Sequence, residues 1–317
     1  MNALFKSIGI SKQGFHQHTD RYLRRKSEQG QLLILIGQLR SDHPTMGMRD
    51  MYYKLRPESM GRDSFEVFCK SQSLMSRKKK NLRRTTDSSG VIRFDNLIEN
   101  MKVSTINQVW QSDITYFEVN RRFYYITFII DGYSRKIVGY NVSKRLLTEQ
   151  TTLPALKMAL QLRKKQKLSV ENLIFHSDGG GQYYAKEFLK ITGKYKIKNS
   201  MCGYAWENGK AERINGVIKN NYLIHRDINS FSELQKEVDR SVYLYNEEKP
   251  HIKIHRKTPS EFENDYICSG QQSDGEKSAT ELSTQLGGFN SPSGCGQQSS
   301  GSNIAPKLRP ENVVTQY

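Results

Sequence analysis

The chain has 317 residues, 36% apolar and 26% charged, enough for one large domain or two modest ones around a proper core. Its four cysteines, Cys69, Cys202, Cys268 and Cys295, are far apart and form no CxxC pair, which excludes a disulfide framework and a structural zinc site and suits a reducing cytoplasm. The longest apolar runs, such as "LLILI" at 32–36, are too short to span a bilayer, and no charged-then-apolar leader opens the chain, so a soluble intracellular protein without membrane contact is expected.

Forty-nine Lys and Arg against 32 Asp and Glu give a net charge of +17. The excess is spread over residues 1–102 (+10) and 103–267 (+8), while 268–317 carries −1. Such a balance suits a polyanion partner, because neutralising phosphates releases counterions. Nucleic acid is therefore the expected partner class.

The first hundred residues read as helices. "LFKSIGISKQGFHQH" has the short helix, glycine and Ser11-led helix of a helix-turn-helix, and Thr19 is a candidate cap for the next helix, which runs through "LLILIGQL". "TMGMRDMYYKL" and "GRDSFEVFCKSQSL" follow, the second with Asp63 and Glu66 spaced as a capping box. Small helices so spaced either present one helix to a DNA groove or form a plain helical bundle. "RKKKNLRR" from Arg77 then supplies Arg77, Lys78, Lys79, Lys80, Arg83 and Arg84, candidates for tracking phosphates along a linker.

Beyond residue 103 the pattern changes period. "VWQSDITYFEV", "FYYITFII" and "KIVGYNVS" are β-rich runs joined by polar turns, an antiparallel meander. Helix "TTLPALKMALQLRKKQ", strand "NLIFHS", helix "YAKEFLKITGKY", strand "KIKNS" and the long helix "NGKAERINGVIKNNYLIHR" follow. The last helix, "SFSELQKEVDRSVYLYNEEKP", places Leu234, Val238, Val242 and Tyr245 on one face, with Ser232 and Gln235 as a capping pair. Three antiparallel strands followed by alternating helices and strands predict an α/β fold, a mixed sheet flanked by helices and preceded by an all-α region. The boundaries expected are 1–76 for the helical region, 77–102 for the basic linker, 103–267 for the core and 268–317 for a polar, disordered tail.

Three carboxylates stand out. Asp113 lies mid-strand in "WQSDITYF", on the opposite face from Ser112 and Ile114. Asp178 ends a strand in "FHSDGGGQY", where open α/β sheets place ligands, and Glu212 lies on the long helix. A charge in a central strand is costly unless paired or bound to a cation. Taken singly, a strand-end Asp is more often a turn residue and a helical Glu more often solvated. Together, in a basic protein, they suit hard divalent cations, Mg²⁺ or Mn²⁺, about 3.5–4 Å apart on a phosphodiester. Glu207 is a rival to Glu212, but Asn208 and Gly209 follow it and place it before the helix. Lys219, seven residues past Glu212 on the same helix face, is a candidate phosphate contact, and Gln182 and Tyr183 border the site as candidate DNA contacts. His176 and Trp110 read as core, and Asp131 with Ser134 and Arg135 as a structured turn.

From about Val103 to Phe262, the strings "WQSDITYF", "FIIDGYSRKIVGY", "FHSDGGGQY", "ENGKAERINGVIKNNYL", "YNEEKPH" and "KTPSEF" occur in order, and the segment closely resembles the integrase-core transposases of bacterial two-frame insertion sequences, second-frame proteins related to retroviral integrases. The resemblance implies a ribonuclease-H-like fold and a D-D-E triad of Asp113, Asp178 and Glu212 binding Mg²⁺, with Mn²⁺ as a substitute. It implies cleavage of DNA strands at element ends followed by joining of a 3′-hydroxyl to target DNA. It further implies a homo-oligomer on duplex DNA, a partner protein from the upstream reading frame, and work at the bacterial nucleoid. The gap between Asp178 and Glu212, 33 residues, is slightly shorter than the family's usual spacing. Two other readings stand beside it: a catalytically inactive DNA-binding regulator, and a ribonuclease-H-type nuclease that cleaves without joining.

Overall fold

The computed structural model describes residues 11–75, 94–203 and 205–269, together with residues 5, 7 and 9. The basic run at 77–84 and the tail from 270 lie outside the described residues.

The helical region opens on α1 (Lys12–Asp42), capped by Ser11, whose hydroxyl accepts from the Gly14 amide at 2.9 Å. No second helix begins at Thr19. The helix runs unbroken for 31 residues, because nothing between Lys12 and Asp42 stops it. α2 (Met48–Leu55) and α3 (Arg62–Ser71) fold back on its C-terminal half, burying Ile36, Met51, Phe65 and Cys69 in one apolar cluster. The expected capping box on α3 does not form: the N-cap is Gly61, Asp63 pairs with Arg62, and Glu66 is taken by Arg49 at 2.7 Å.

The larger part is built on β1 (Val109–Val119), β2 (Arg122–Asp131) and β3 (Ile137–Ser143), an antiparallel meander. Asn120 and Arg121, both with positive φ, close the first hairpin in the two-residue turn that matches strand twist. The chain continues through α4 (Thr152–Lys165), β4 (Ile174–Ser177), α5 (Lys186–Lys194) and β5 (Lys198–Met201). β4 pairs parallel to β1 and β5 parallel to β4, so the sheet order is β3-β2-β1-β4-β5. This mixed five-stranded sheet between helices is the ribonuclease-H-like arrangement.

Period-2 alternation divides the sheet's side chains between two cores. Trp110, Ile129 and Val138 pack under α4 and α5. Gly139 lets α4 approach closely, since a Cβ there would stand 2.3 Å from the Ala155 carbonyl oxygen. On the other face Ile126, Phe128 and Ile130 pack under α6 (Gly209–Asn221) and α7 (Phe231–Tyr243). Leu234, Val238, Val242 and Tyr245 are all buried, as their spacing requires. The cap of α7 falls two residues before the expected one: Ser230 accepts from the Glu233 amide, and Glu233 reaches back to the Asn229 amide at 2.7 Å. A last helix, α8, covers residues 259–269 and opens on a capping box of Thr258 and Glu261.

Polar contacts fasten the helical region to this part. His43, buried, bonds the Tyr222 hydroxyl at 3.2 Å, Lys54 pairs with Glu248 at 2.7 Å, and Arg256 lies over the Tyr53 ring at 4.0 Å.

Candidate active site

In the parallel ladder Ser112 pairs with Ser177. The next residues, Asp113 and Asp178, therefore leave adjacent strands at the same level. Residues 65 apart in sequence become neighbours through a register set by the apolar runs of β1 and β4.

Asp113 is half-buried on the α6 face of the sheet. Its carboxylate accepts from the Ile114 amide at 2.8 Å and from Asn215 Nδ2 at 2.7 Å. Burial, followed by the negative charge of Asp178 and more weakly that of Glu212, pushes its pKa up to about 7. Burial raises Asp178 as well, opposed by the Gly180 amide, which donates to its carboxylate at 3.3 Å. The glycine run leaves room for this turn: a Cβ at Gly180 would lie 3.2 Å from Asp178 Oδ1. Glu212 lies in the first turn of α6, exposed to solvent and near enough to act on Asp113 through its charge.

Glu207 occupies the 3₁₀ turn before α6, outside the helix as expected, and accepts from the Gly203 amide at 2.6 Å. Lys219 Nζ donates to Thr115 Oγ1 at 3.2 Å and lies 5.0 Å from the Tyr116 ring centre; burial lowers its pKa, with Asp113 acting the other way. Gln182 donates to the Leu146 carbonyl at 3.3 Å. Tyr183 is not at the surface as a DNA contact would be. It is 2% exposed, packed on Phe175 and Phe188, with its hydroxyl 2.9 Å from Ser112 Oγ. Because Ser112 donates to the Phe128 carbonyl, Tyr183 is the donor in that pair. It braces β1 from beneath Asp113. His176 is fully buried on Ser200 Oγ, and burial holds its pKa down at about 4, so it is a neutral core residue. Asp131 is the structured turn, accepting from the Tyr133 and Ser134 amides and from Asn107.

Asn215 was not legible as a site residue. It sits three positions past Glu212, on the stripe of α6 that also carries buried Ala211, Ile214 and Ile218. A buried amide amid apolar positions was the signal available. Its Nδ2 holds Asp113, and its Oδ1 has no hydrogen-bond partner among the described residues.

Among the described residues no three His, Cys, Asp or Glu side chains stand close enough together to hold a metal ion. The donor chemistry nevertheless fits a hard divalent cation. Two half-buried carboxylates stand side by side with raised pKa values, an orphaned amide oxygen lies beside them, and a third carboxylate is on the facing helix.

Residues 104–204 match the family described as Integrase core domain, and residues 194–259 match a second family of the same description. An integrase core is thus the class of this sheet and its carboxylates. The relatives narrow the class. The chain is 29% identical over 269 residues to the Insertion element IS600 uncharacterized 31 kDa protein of Shigella sonnei, covering 82% of this chain and 97% of that one. It is 26% identical to the Putative transposase for insertion sequence element IS986/IS6110 of Mycobacterium tuberculosis (strain CDC 1551 / Oshkosh), covering 66% and 78%. Among solved structures it is similar to the HTLV-2 integrase catalytic core domain in complex with magnesium, at 21% identity and TM-score 0.39, over 50% of this chain and 96% of that one. Residues 104–259 thus match integrase cores, and the chain is similar to insertion-sequence transposases. Among the described residues no helix is long and apolar enough to cross a membrane.

Proposed function

We propose that this protein is a DNA transposase, a polynucleotidyl transferase that cuts DNA at the ends of an insertion sequence and joins those ends to new DNA, with Asp113, Asp178 and Glu212 as its catalytic carboxylates. The observation that carries the reading is the pair Asp113–Asp178 on adjacent parallel strands of an integrase core, with Asp113 raised to about 7 by burial and by the charge of Asp178.

Asp113, Asp178 and Glu212 would hold Mg²⁺ through carboxylate oxygens, Glu212 turning in from the exposed first turn of α6. When bound, the metal supplies charge neutralisation on the phosphodiester and activation of the attacking oxygen. The protein's own share is positioning. Asn215 orients the Asp113 carboxylate, Tyr183 and Ser112 hold the strand that carries it, and the Asn208 amide, donating to the Ser112 carbonyl at 2.9 Å, ties the start of α6 to that strand. Lys219 contacts a phosphate beside the carboxylates. Gln182 and the basic run Arg77, Lys78, Lys79, Lys80, Arg83 and Arg84 extend the contact with duplex DNA. The helical region recognises element ends, and the protein works as a multimer on DNA. The net charge of +17 supports each of these contacts.

The test is incubation of the full chain with labelled duplex carrying the element's terminal sequence, with Mg²⁺ or with chelator. Nicked and joined products only in Mg²⁺ are expected. Binding without either product would establish a regulator, and cleavage without joining a nuclease.

A further inference from the structure

We propose that the groove between α6 and residues 249–253 binds the phosphodiester backbone of a DNA segment other than the strand brought to Asp113 and Asp178. The inference rests on the transposase reading and deepens it. The cavity, about 330 Å³, is lined by Arg135, Lys210, Arg213, Lys249 and Lys253. Its one acidic lining residue, Asp50, is engaged by Arg256 at 3.3 Å.

The groove is separate from the carboxylate site because of how α6 is turned. At about 100° per residue, the face of Lys210, Arg213 and Val217 lies roughly 160° around the helix from that of Asn208, Glu212, Asn215 and Lys219. The buried stripe of Ala211, Ile214 and Ile218 lies between the two. One helix therefore presents Glu212 on one side of its core stripe and a basic edge, Lys210 and Arg213, on the other. A phosphate at Asp113 cannot also be the one held by Arg213.

The cations crowd one another. His251, at the same groove, is pushed down to about 3 by burial and then by Lys249, Arg135 and Arg213. Its Nε2 has no hydrogen-bond partner among the described residues. No salt bridge to Arg135, Arg213 or Lys253 occurs among the described residues. Like charges gathered in a concave site repel one another and are relieved by a polyanion that spans them. The guanidinium groups of Arg135 and Arg213 suit phosphate oxygens geometrically as well as by charge.

The experiment measures duplex affinity of the full chain against salt, for wild type, for Arg213→Ala/Lys253→Ala, and for a control pair outside the groove, Lys157→Ala/Lys236→Ala. All four side chains are exposed, so folding, checked by thermal melting, is expected to survive. The groove pair should flatten the slope of log K against log salt by about 2, one for each phosphate no longer neutralised, while the control pair leaves it unchanged. Arg213→Lys/Lys253→Arg should keep the wild-type slope. A groove pair with the control's slope would overturn the proposal while leaving the transposase reading intact, provided wild type still nicks its substrate. Wild type that neither binds nor nicks duplex would sink both.

Discussion

Glu263, fully buried, and Asp113, half-buried, are carboxylates beside the same sheet, and the chain treats them in opposite ways. Glu263, on α8, is fully enclosed and meets Arg163 at 2.7 and 2.9 Å, Lys136 at 3.2 Å and Gln166 at 3.2 Å. Burial alone would push its pKa up, but Arg163 and then Lys136 hold it below the usual carboxylate range. Asp113 has two neutral donors and no salt-bridge partner among the described residues, and its neighbour Asp178 repels it. A structural carboxylate brings its countercharge from within the chain. The proposed metal ligand is left short of it, and that shortage would favour a bound cation.

This contrast can be broken at several points. Asp113→Asn, Asp178→Asn or Glu212→Gln should lower Mg²⁺-dependent nicking by about 10³-fold or more while duplex binding survives; any of the three nicking at the wild-type rate would remove it from the triad. Glu263→Gln should leave that chemistry in place and cost about 3–5 kcal/mol of stability, because Arg163 stays buried with only Asp131, at 3.6 Å, to pair it. Denaturant unfolding reads this directly, and a loss under about 1 kcal/mol would deny the network its structural role.

The next effects are smaller and of opposite sign. In chelator, Asp113→Asn should stabilise the protein at pH 8 by about 1–3 kcal/mol. The folded pKa of Asp113, about 7, lies above its unfolded value, so its protonated form favours the native state below the unfolded value. That contribution is lost as pH rises through 7, and asparagine does not lose it. Melting at pH 5 and pH 8 checks the sign. Asn215→Ala should cut nicking by about 10–100-fold with unchanged DNA affinity, as expected of a residue that orients the proposed metal ligand Asp113.

The smallest effect is a slope. His176 takes up its proton near 6.5 when unfolded and only near 4 when folded. The stability it confers is complete above 6.5 and declines as pH falls from 6.5 toward 4. His176→Asn should remove about one proton from the pH dependence of unfolding in that window.

Much of the architecture was readable because its signals are local. The alternation in "VWQSDITYFEV" and the i, i+4 stripe of Leu234, Val238 and Val242 name their elements wherever the chain is folded. The caps were harder. Ser232 and Ser230 both precede an acidic or amide residue at the right spacing, and only the actual start of α7 selects Ser230. The uninterrupted α1 escapes the sequence for a related reason: Thr19 is a good cap residue, but a helix already under way does not stop for one.

The sequence by itself determined which residues could ionise, which stretches would be strand or helix, and that Asp113 lies on the opposite face of its strand from Ser112. Only the tertiary structure decided that Asn215 rather than another α6 residue grips Asp113, that Tyr183 braces β1 from the buried side, and that Arg135, Arg213 and Lys253 share a groove. Those contacts join residues far apart in the chain. They depend on the β1–β4 register and on the rotation of α6 about its axis, both set by burial of whole apolar faces rather than by any neighbouring pair of residues.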